Sequence, residues 1–229
     1  MAFDRVIVAS TNDHWLDFWP LVCAAWEKWF PSVEVSMIVV PDNTPIPAAN
    51  HAKIMRYQLA AQFPDDVCLV HDMDTIPLQA EYYRRLTDQR IPGHLLCVGR
   101  EVYNGTPHAG KFPAGCMTGE GRLFKSLMPG NVEQLFDMRV HDHKEDPRNL
   151  PERFSDESLV RALLTINQGI PQQHVERGID PMTDWVDRSW WHLDVSKMMS
   201  GGYIEANLPR PMHANMDKIQ PIWDYIFND

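Results

Sequence analysis

A short apolar segment that ends in two carboxylates, residues 67–78, constrains the fold of this chain more than any other feature. Its apolar, partly β-branched start predicts a buried strand. Successive side chains of an extended chain alternate between two faces, so Asp72 and Asp74 point the same way where that strand ends. Two carboxylates in one crevice repel each other, and a hard divalent cation relieves the repulsion. The segment therefore predicts an open α/β sheet with a cation site at its carboxyl edge.

The same carboxylate pair has a plainer interpretation, in which both residues make local turns before Pro77. A pattern of Asp, any residue and Asp is short, and short patterns also occur by chance. The choice between the two interpretations therefore rests on what the rest of the chain supplies.

The length and composition are those of an ordinary soluble globular protein, with 229 residues, of which 44% are hydrophobic and 23% charged. This length suits one α/β domain. No apolar run approaches the roughly 20 residues that a membrane span needs, so we expect no membrane span. The N-terminal residues run into a predicted strand without the layout of a signal peptide, and we therefore expect a cytoplasmic protein.

The charge of the chain limits its partners. The formal net charge is -10, and no segment is rich in Lys or Arg. Non-specific binding to nucleic acid needs clustered cations, so we expect no nucleic-acid partner. An acidic protein that binds a phosphorylated ligand needs a cation between the two, and the pair Asp72 and Asp74 supplies a site for one.

Strands and helices alternate up to the carboxylate pair. Hydrophobic periodicity predicts strands at residues 5–9, at residues 33–40 and from residue 67, and helices at residues 15–30 and 50–63. This order favours a Rossmann-like, mostly parallel sheet flanked by helices.

The second half of the chain is less regular. We predict helices at residues 81–86 and 121–128 and from residue 155, and strands at residues 94–98 and 114–118. Residues 137–154 are polar and rich in His, Asp, Arg and Pro, a composition that predicts an exposed loop. Residues 170–210 contain scattered Pro and Gly, and no periodicity orders them.

Five short motifs follow one another along the chain and together resemble a known family. They are Thr11-Asn12-Asp13-His14-Trp15 at the end of the first strand, Lys53-Ile54 in the second helix, Asp72-Met73-Asp74-Thr75 after the third strand, Ser155-Asp156-Glu157 at a helix start, and His213 with Lys218 near the C-terminus. They resemble the motifs of glycogenin and its relatives, retaining UDP-sugar glycosyltransferases of the GT-A fold. The resemblance covers most of the chain. It implies a single GT-A domain over residues 1–229 with a mixed, mostly parallel sheet, in which about residues 1–100 bind the nucleotide and about residues 101–229 face the acceptor.

The resemblance implies contacts to the nucleotide from the first strand and the second helix. Trp15 stands where the family has a tyrosine that stacks on uracil. Lys53 stands where a family lysine reaches the nucleotide sugar. The turn that precedes Trp15 would contribute the remaining contacts through Ser10, Thr11, Asn12 and Asp13.

The resemblance also implies a site for Mn²⁺ or Mg²⁺. Asp72 and Asp74 would bind the ion, His213 would complete its ligands, and Asp72 and Lys218 would contact the donor. Two oxygens and one imidazole suit Mn²⁺ better than Ca²⁺. Such an ion stabilises the negative charge of a leaving diphosphate. A single histidine is more often a surface residue than a ligand, so the assignment of His213 depends on the carboxylate pair.

Asp156 and Glu157 are the candidate catalytic residues. The resemblance implies that Asp156 holds the donor sugar and that Glu157 faces its anomeric carbon. Carboxylates at a helix start are also favoured by the helix dipole, by about 0.3–1 kcal/mol each. Both residues could serve an inverting or a retaining transfer, and only the resemblance favours retention.

These observations predict a metal-dependent glycosyltransferase that moves a hexose or deoxyhexose from a UDP-sugar to a glycan or another hydroxyl acceptor. One alternative is a nucleotidyltransferase of similar fold, but such enzymes usually carry a glycine-rich basic loop where this chain has Ser10 to Asp13. The other alternative is a non-catalytic sugar-binding module, against which the intact carboxylate pair argues.

Overall fold

A six-stranded sheet with helices on both faces forms the centre of the protein, and a three-stranded sheet lies beside it. The computed structural model describes residues 3–11, 15–41, 48–99, 115–128, 130, 156–178 and 184–228. The prediction of an exposed loop at residues 137–154 lies outside these ranges.

The strands are short and are numbered in chain order. They are β1 (Arg5–Thr11), β2 (Glu34–Val40), β3 (Val67–His71), β4 (Thr75–Pro77), β5 (Leu95–Val98), β6 (Cys116–Glu120), β7 (Gln172–Val175), β8 (Trp185–Val186) and β9 (Glu205–Asn207).

The helices are numbered in the same way. They are α1 (Trp19–Trp29), α2 (Ala48–Ala60), α3 (Glu81–Asp88), α4 (Gly121–Leu127), α5 (Asp156–Ile166), α6 (Val195–Met199) and α7 (Met216–Phe227). Single 3-10 turns occupy Leu16–Phe18, Arg188–Trp190 and Met212–Asn215. Within the described ranges, none of the helices combines the length and the apolar character that crossing a bilayer requires.

The large sheet is mixed and mostly parallel. Its strand order is β2-β1-β3-β6-β5-β7. Strand β1 runs parallel to both of its neighbours, and β5 runs parallel to β7. Only β6 is antiparallel to the strands on either side. This arrangement confirms the predicted fold class.

Alternation along the central strands explains why the sheet is covered on both faces. In β1, Val6 and Val8 belong to a core cluster that includes Trp26 of α1. The residue between them, Ile7, belongs to a second cluster that includes Tyr57 of α2. A strand buried on both faces appears as a continuous apolar run in the sequence, and this is why the strands were predictable.

The order of strands and helices up to β3 is as predicted, with one difference at α1. The predicted helix from residue 15 is a 3-10 turn over Leu16–Phe18 followed by α1, which begins at Trp19. Pro20 lies in the first turn of α1, where the missing N–H of proline has no helical partner to lose.

The later elements α3, β5, β6, α4 and α5 also occur within a few residues of their predicted positions. The division into a nucleotide side and an acceptor side stays a prediction. Residues 170–210, which sequence periodicity did not order, contain β7, β8, α6 and β9.

The three-stranded sheet brings distant parts of the chain to one edge. Its order is β4-β9-β8, with β4 antiparallel and β8 parallel to β9. The start of β4 therefore lies at the same edge as the ends of β8 and β9. The Leu208 N–H, just after β9, donates to the Asp74 carbonyl, just before β4, at 2.7 Å. The residue before β4 and the residues after β8 and β9 consequently meet in space.

Gly121 should be essential to the packing of α4. A Cβ at this position would lie 2.1 Å from the Phe63 carbonyl oxygen and 2.6 Å from that of Ala60, and backbone atoms cannot rotate away. We expect Gly121→Ala to lower the free energy of unfolding by about 1–3 kcal/mol, measured by urea denaturation. Gly169→Ala is the control, since the nearest atom is 3.8 Å away, and it should change stability by no more than about 0.5 kcal/mol. Equal stability of the two variants would contradict the packing of α4 on α2.

Candidate functional site

A cavity of about 390 Å³ lies where the carboxyl ends of β1 and β3 meet the edge of the small sheet. Helix α2 contributes further residues to its wall. The described residues that line it are Ala9, Ser10, Thr11, Trp15, Ala49, Ala52, Lys53, Arg56, His71, Asp72, Met73, Asp74, Gly115, Arg188 and Arg210.

The cavity is cationic although the protein is acidic. Among the described lining residues, four side chains are cationic, namely those of Lys53, Arg56, Arg188 and Arg210, and two are carboxylates. The lining therefore has an excess of two positive charges when His71 is neutral, in a chain of formal net charge -10. Such a cavity selects an anionic ligand, because its local potential opposes that of the protein as a whole.

Arg56 fixes the end of β3. Its guanidinium group is buried and donates to the His71 carbonyl at 3.2 Å and to the Asp72 carboxylate. Partial burial acts to raise the pKa of Asp72. The positive charge of Arg56 and its hydrogen bond are among the effects that lower this pKa, and it lies below its ordinary value. Asp72 is therefore an anion at neutral pH. Its side chain is 46% exposed, so a ligand in the cavity can reach it.

Gly115 leaves the room that the Asp72 carboxylate occupies. A Cβ at Gly115 would lie 2.9 Å from Asp72 Oδ2, which is closer than normal carbon contacts allow. Gly115 directly precedes β6, whose first residue Cys116 pairs with His71 of β3. The antiparallel neighbour of β3 thus shapes the cavity at this position.

Asp74 is buried and is paired with two arginines. Its side chain is 7% exposed and accepts from Arg188, while Arg210 Nε lies 3.4 Å from Asp74 Oδ2. Burial raises the pKa of Asp74, the charge of Asp72 adds to this effect, and the two arginines oppose it; the pKa lies above its ordinary value. The two arginines supply the charge compensation that a buried carboxylate needs.

Trp15 contacts Arg210, one arginine of this pair. The guanidinium carbon of Arg210 lies 4.0 Å from the centroid of the Trp15 ring, which is a cation–π contact. Arg210 therefore links the aromatic residue after β1 to the carboxylate before β4. A base that stacks on Trp15 must use the other face of the ring or displace Arg210.

A buried hydrogen-bonded chain joins the two sheets behind the cavity. His71 Nε2 of β3 lies 3.1 Å from the Tyr83 hydroxyl of α3, which donates to Glu205 Oε2 of β9 at 2.8 Å. Arg177 forms an ion pair with Glu205. Burial lowers the pKa of His71, so this cavity residue is neutral at pH 7. The chain holds β3 and β9 in a fixed relation, and with them Asp72 and the segment that leads to Arg210.

The structure brings six of the residues predicted from the sequence to this one cavity. They are Ser10, Thr11, Trp15, Lys53, Asp72 and Asp74. The predicted contacts Asn12 and Asp13 lie outside the described residues. The helix start predicted near Asp156 is confirmed, since α5 begins there, but the side chains of Asp156 and Glu157 lie outside the description. Their catalytic roles stay predictions.

His213 and Lys218 do not belong to the described residues that line the cavity. His213 lies in the 3-10 turn Met212–Asn215, its side chain is 74% exposed, and its Nδ1 lies 3.6 Å from Asp17 Oδ2. Lys218 is exposed near the start of α7. Their roles as a metal ligand and a diphosphate contact stay predictions.

The carboxylate pair still suits a divalent cation. The described part of the chain contains no group of three His, Cys, Asp or Glu side chains placed to hold a metal. Mg²⁺, however, commonly binds through one or two carboxylates together with substrate phosphates and water. Asp72 and Asp74 on the wall of a cationic cavity fit this mode of binding.

Three arginines of the cavity were not predicted as site residues. Arg56 lies three residues after Lys53 and therefore on the same face of α2, a signal that the sequence does contain. Arg188 and Arg210 lie in or next to the stretch that periodicity did not order. No local pattern indicates them, because the small sheet alone places them beside Asp74.

The architecture is of the GT-A type, and comparison with the solved structures of LgtC agrees with this fold. The galactosyltransferase LgtC in complex with donor and acceptor sugar analogs is similar with a TM-score of 0.50 and 10% identity, over 89% of this chain and 86% of that chain. A second structure of LgtC, that of an active-site mutant, gives a TM-score of 0.50 and 11% identity over the same shares. A glycosyltransferase involved in the glycosylation of the major capsid of PBCV-1 gives a TM-score of 0.49 and 10% identity, over 93% of this chain and 98% of that chain.

Sequence comparison adds no closer relationship. No family model matches the chain, and no curated protein matches it either. At 10% to 11% identity, the likeness to LgtC establishes a common fold.

Arg56 should be required for stability, whereas Lys53 should not. Arg56→Met removes the hydrogen bonds that Arg56 donates to the His71 carbonyl and to the Asp72 carboxylate. The first of these acceptors belongs to a buried residue and the second to a half-buried one. We expect a loss of about 1–3 kcal/mol in the free energy of unfolding, measured by urea denaturation. Lys53→Met is the matched control on the same face of α2, where the side chain is exposed, and it should stay within about 0.5 kcal/mol of the unmodified protein. A loss for Lys53→Met as large as for Arg56→Met would contradict a specific role of Arg56.

Proposed function

We propose that the protein is a metal-dependent glycosyltransferase that moves a hexose or deoxyhexose from a UDP-sugar to the hydroxyl group of a glycan or another acceptor. The observation that carries this proposal is the cationic cavity with two carboxylates at the carboxyl edge of a GT-A type sheet. The diphosphate of a nucleotide sugar is an anion that both the cationic side chains and a carboxylate-bound cation would attract.

The size and the polar groups of the cavity support a nucleotide sugar as the ligand. Its volume of about 390 Å³ lies within the range of about 300–1,000 Å³ that ligand pockets span. Trp15 is half-buried at the cavity and offers a ring for stacking with uracil. Ser10 and Thr11 add hydroxyl groups at the end of β1, and Lys53 would reach the sugar nucleotide from α2.

Asp72 and Asp74 would hold Mn²⁺ or Mg²⁺ together with the diphosphate. The bound ion would supply Lewis-acid stabilisation of the diphosphate as a leaving group. We assign His213 as a further ligand and Lys218 as a further contact to the diphosphate. Neither residue belongs to the described lining, so this assignment rests on the family resemblance.

The transfer breaks the bond between C1 of the sugar and the diphosphate oxygen and forms a bond between C1 and the acceptor oxygen. The proton of the acceptor hydroxyl passes to the departing diphosphate. Asp156 would hold the donor sugar, and Glu157 would stabilise the reacting carbon. Helix α5, which begins at Asp156, packs against α2 and α4 through its buried apolar residues. We propose that the sugar keeps its anomeric configuration.

Binding of UDP should depend on a divalent cation and on Asp74. In calorimetry we expect Mn²⁺ to strengthen UDP binding at least about tenfold over EDTA, because the ion screens the diphosphate from two carboxylates. Asp74→Asn should remove this enhancement. Asp88→Asn, at an exposed position of α3, should retain it.

A panel of UDP-sugars tests the reaction itself, and we expect at least one of them to release UDP. Release of diphosphate from UTP would indicate a nucleotidyltransferase, and no turnover of any donor would indicate a binding module.

Asp156→Asn and Glu157→Gln should separate catalysis from nucleotide binding. Each change should reduce kcat at least about a hundredfold, as the loss of a positioned catalytic group does. The Kd for UDP should stay unchanged, since neither residue is assigned to the nucleotide. Proton NMR of the product would report the linkage, and an inverted linkage would exclude the retaining mechanism. If both variants turn over nearly as fast as the unmodified enzyme, these residues only stabilise the start of the helix.

A further inference from the structure

The pairing of one buried carboxylate with two arginines is the feature of the cavity that the proposed function does not use. We propose that Arg188 and Arg210 form a clamp for the donor diphosphate, which binds Asp74 when the cavity is without nucleotide and binds the diphosphate when it is present. This proposal deepens the proposed function and rests on it.

The small sheet places the clamp where a diphosphate would lie. Asp74 directly precedes β4, Arg188 follows the last residue of β8 by two positions, and Arg210 follows the last residue of β9 by three. The ends of these strands share one edge, and that edge faces the cavity. The two arginines therefore reach the cavity from a hydrogen-bonded sheet and not from long loops.

Each arginine is held by contacts of its own or of its neighbours. The 3-10 turn that contains Arg188 is capped by Asp187, whose side chain accepts from the Ser189 N–H at 2.7 Å. Arg210 stacks on Trp15, with its guanidinium carbon 4.0 Å from the ring centroid. The cap holds the backbone of the turn at Arg188, and the stack on Trp15 restricts the guanidinium group of Arg210. Neither of these two contacts uses an N–H donor of a guanidinium group.

The exposure of the three side chains favours exchange of partners. Arg188 and Arg210 are 31% and 30% exposed, whereas Asp74 is 7% exposed. All three side chains line the cavity, and the two arginines are the more exposed members of the group. A ligand that enters the cavity can therefore reach the guanidinium groups.

The chemistry of the groups favours a diphosphate over the carboxylate. Both arginines contact the same carboxylate oxygen, Asp74 Oδ2, so two cationic groups compensate one negative charge. A guanidinium group has five N–H donors in a planar fork that matches phosphate oxygens. A diphosphate offers more oxygens and more charge than one carboxylate, so it can accept more charge-assisted hydrogen bonds from the two guanidinium groups.

The clamp and a divalent cation would share Asp74. An ion held by Asp74 would take the place of the arginines there and would leave both guanidinium groups to the diphosphate. The clamp consequently predicts a component of diphosphate binding that persists when metal is removed. Binding through the metal alone would not have this component.

Inorganic diphosphate in EDTA is the probe that isolates the clamp. By calorimetry with the full chain, we expect measurable binding to the unmodified protein and binding at least about tenfold weaker in Arg188→Gln and in Arg210→Gln, as expected for the loss of a hydrogen bond to a charged group. Arg122→Gln is the matched control, because Arg122 is exposed on α4 and does not belong to the described lining. Its Kd should equal that of the unmodified protein.

Three further variants keep the test valid if loss of an arginine unfolds the protein around Asp74. Arg188→Lys and Arg210→Lys retain the charge beside Asp74 but lose the planar fork, so we expect a folded protein with diphosphate binding several-fold weaker. Asp74→Asn removes the competing carboxylate and should bind diphosphate in EDTA at least as tightly as the unmodified protein.

The outcomes separate the clamp from the proposed function. The clamp is excluded if diphosphate binds in Mn²⁺ but not in EDTA. It is also excluded if the glutamine and lysine variants of Arg188 and Arg210 bind diphosphate in EDTA like the unmodified protein. In both cases the proposed glycosyltransferase activity stands. If diphosphate binding in EDTA depends on both arginines but no UDP-sugar is bound or turned over, the arginines form an anion site and the proposed function fails. Dependence on both arginines together with UDP binding would support both.

Discussion

The burial of Asp74 between Arg188 and Arg210 is the interaction that unites this site. A carboxylate that is 7% exposed is costly in the fold unless cations accompany it, so the three residues have to be positioned together. Their positions come from three strands of one small sheet that share an edge. That edge adjoins the carboxyl ends of β1 and β3. The cavity lies between the two, and both Asp72 and Asp74 line it.

The relation between the two sheets is maintained by polar contacts as well as by apolar packing. The hydrogen-bonded chain from His71 through Tyr83 to Glu205 crosses from β3 to β9 inside the core. Buried polar groups that are fully paired specify one arrangement, because any displacement leaves donors or acceptors without partners. Arg56 acts similarly at the end of β3, where it joins the backbone of His71 to the side chain of Asp72. Arg56 thus adds positive charge to the cavity and also positions the backbone at the end of β3.

The site residues that the sequence predicted correctly lie on or directly after strands and helices that have clear hydrophobic patterns. Asp72 and Asp74 follow a buried apolar strand, Trp15 follows another, and Lys53 lies on a helix between them. Residues that follow parallel strands meet at one edge of a sheet, so a correct order of strands was sufficient to bring them together. Arg56 could have been added from its spacing to Lys53 alone. The side-chain positions of Asp156 and Glu157 have no such geometric support, and their assignment remains with the family resemblance.

The sequence by itself determined the alternation of strands and helices, the mostly parallel sheet, and the carboxylate pair at its edge, because burial on both faces and the alternation of side chains leave direct patterns in the chain. The mixed character of the sheet was implied by the family resemblance. Only the tertiary structure decided which cations accompany the carboxylates. Arg188 lies 114 residues from Asp74 in sequence, and the strands β8 and β9 that deliver Arg188 and Arg210 are two and three residues long. Strands of this length are stable only through their pairing with β4 and with each other, a long-range interaction that no local pattern records.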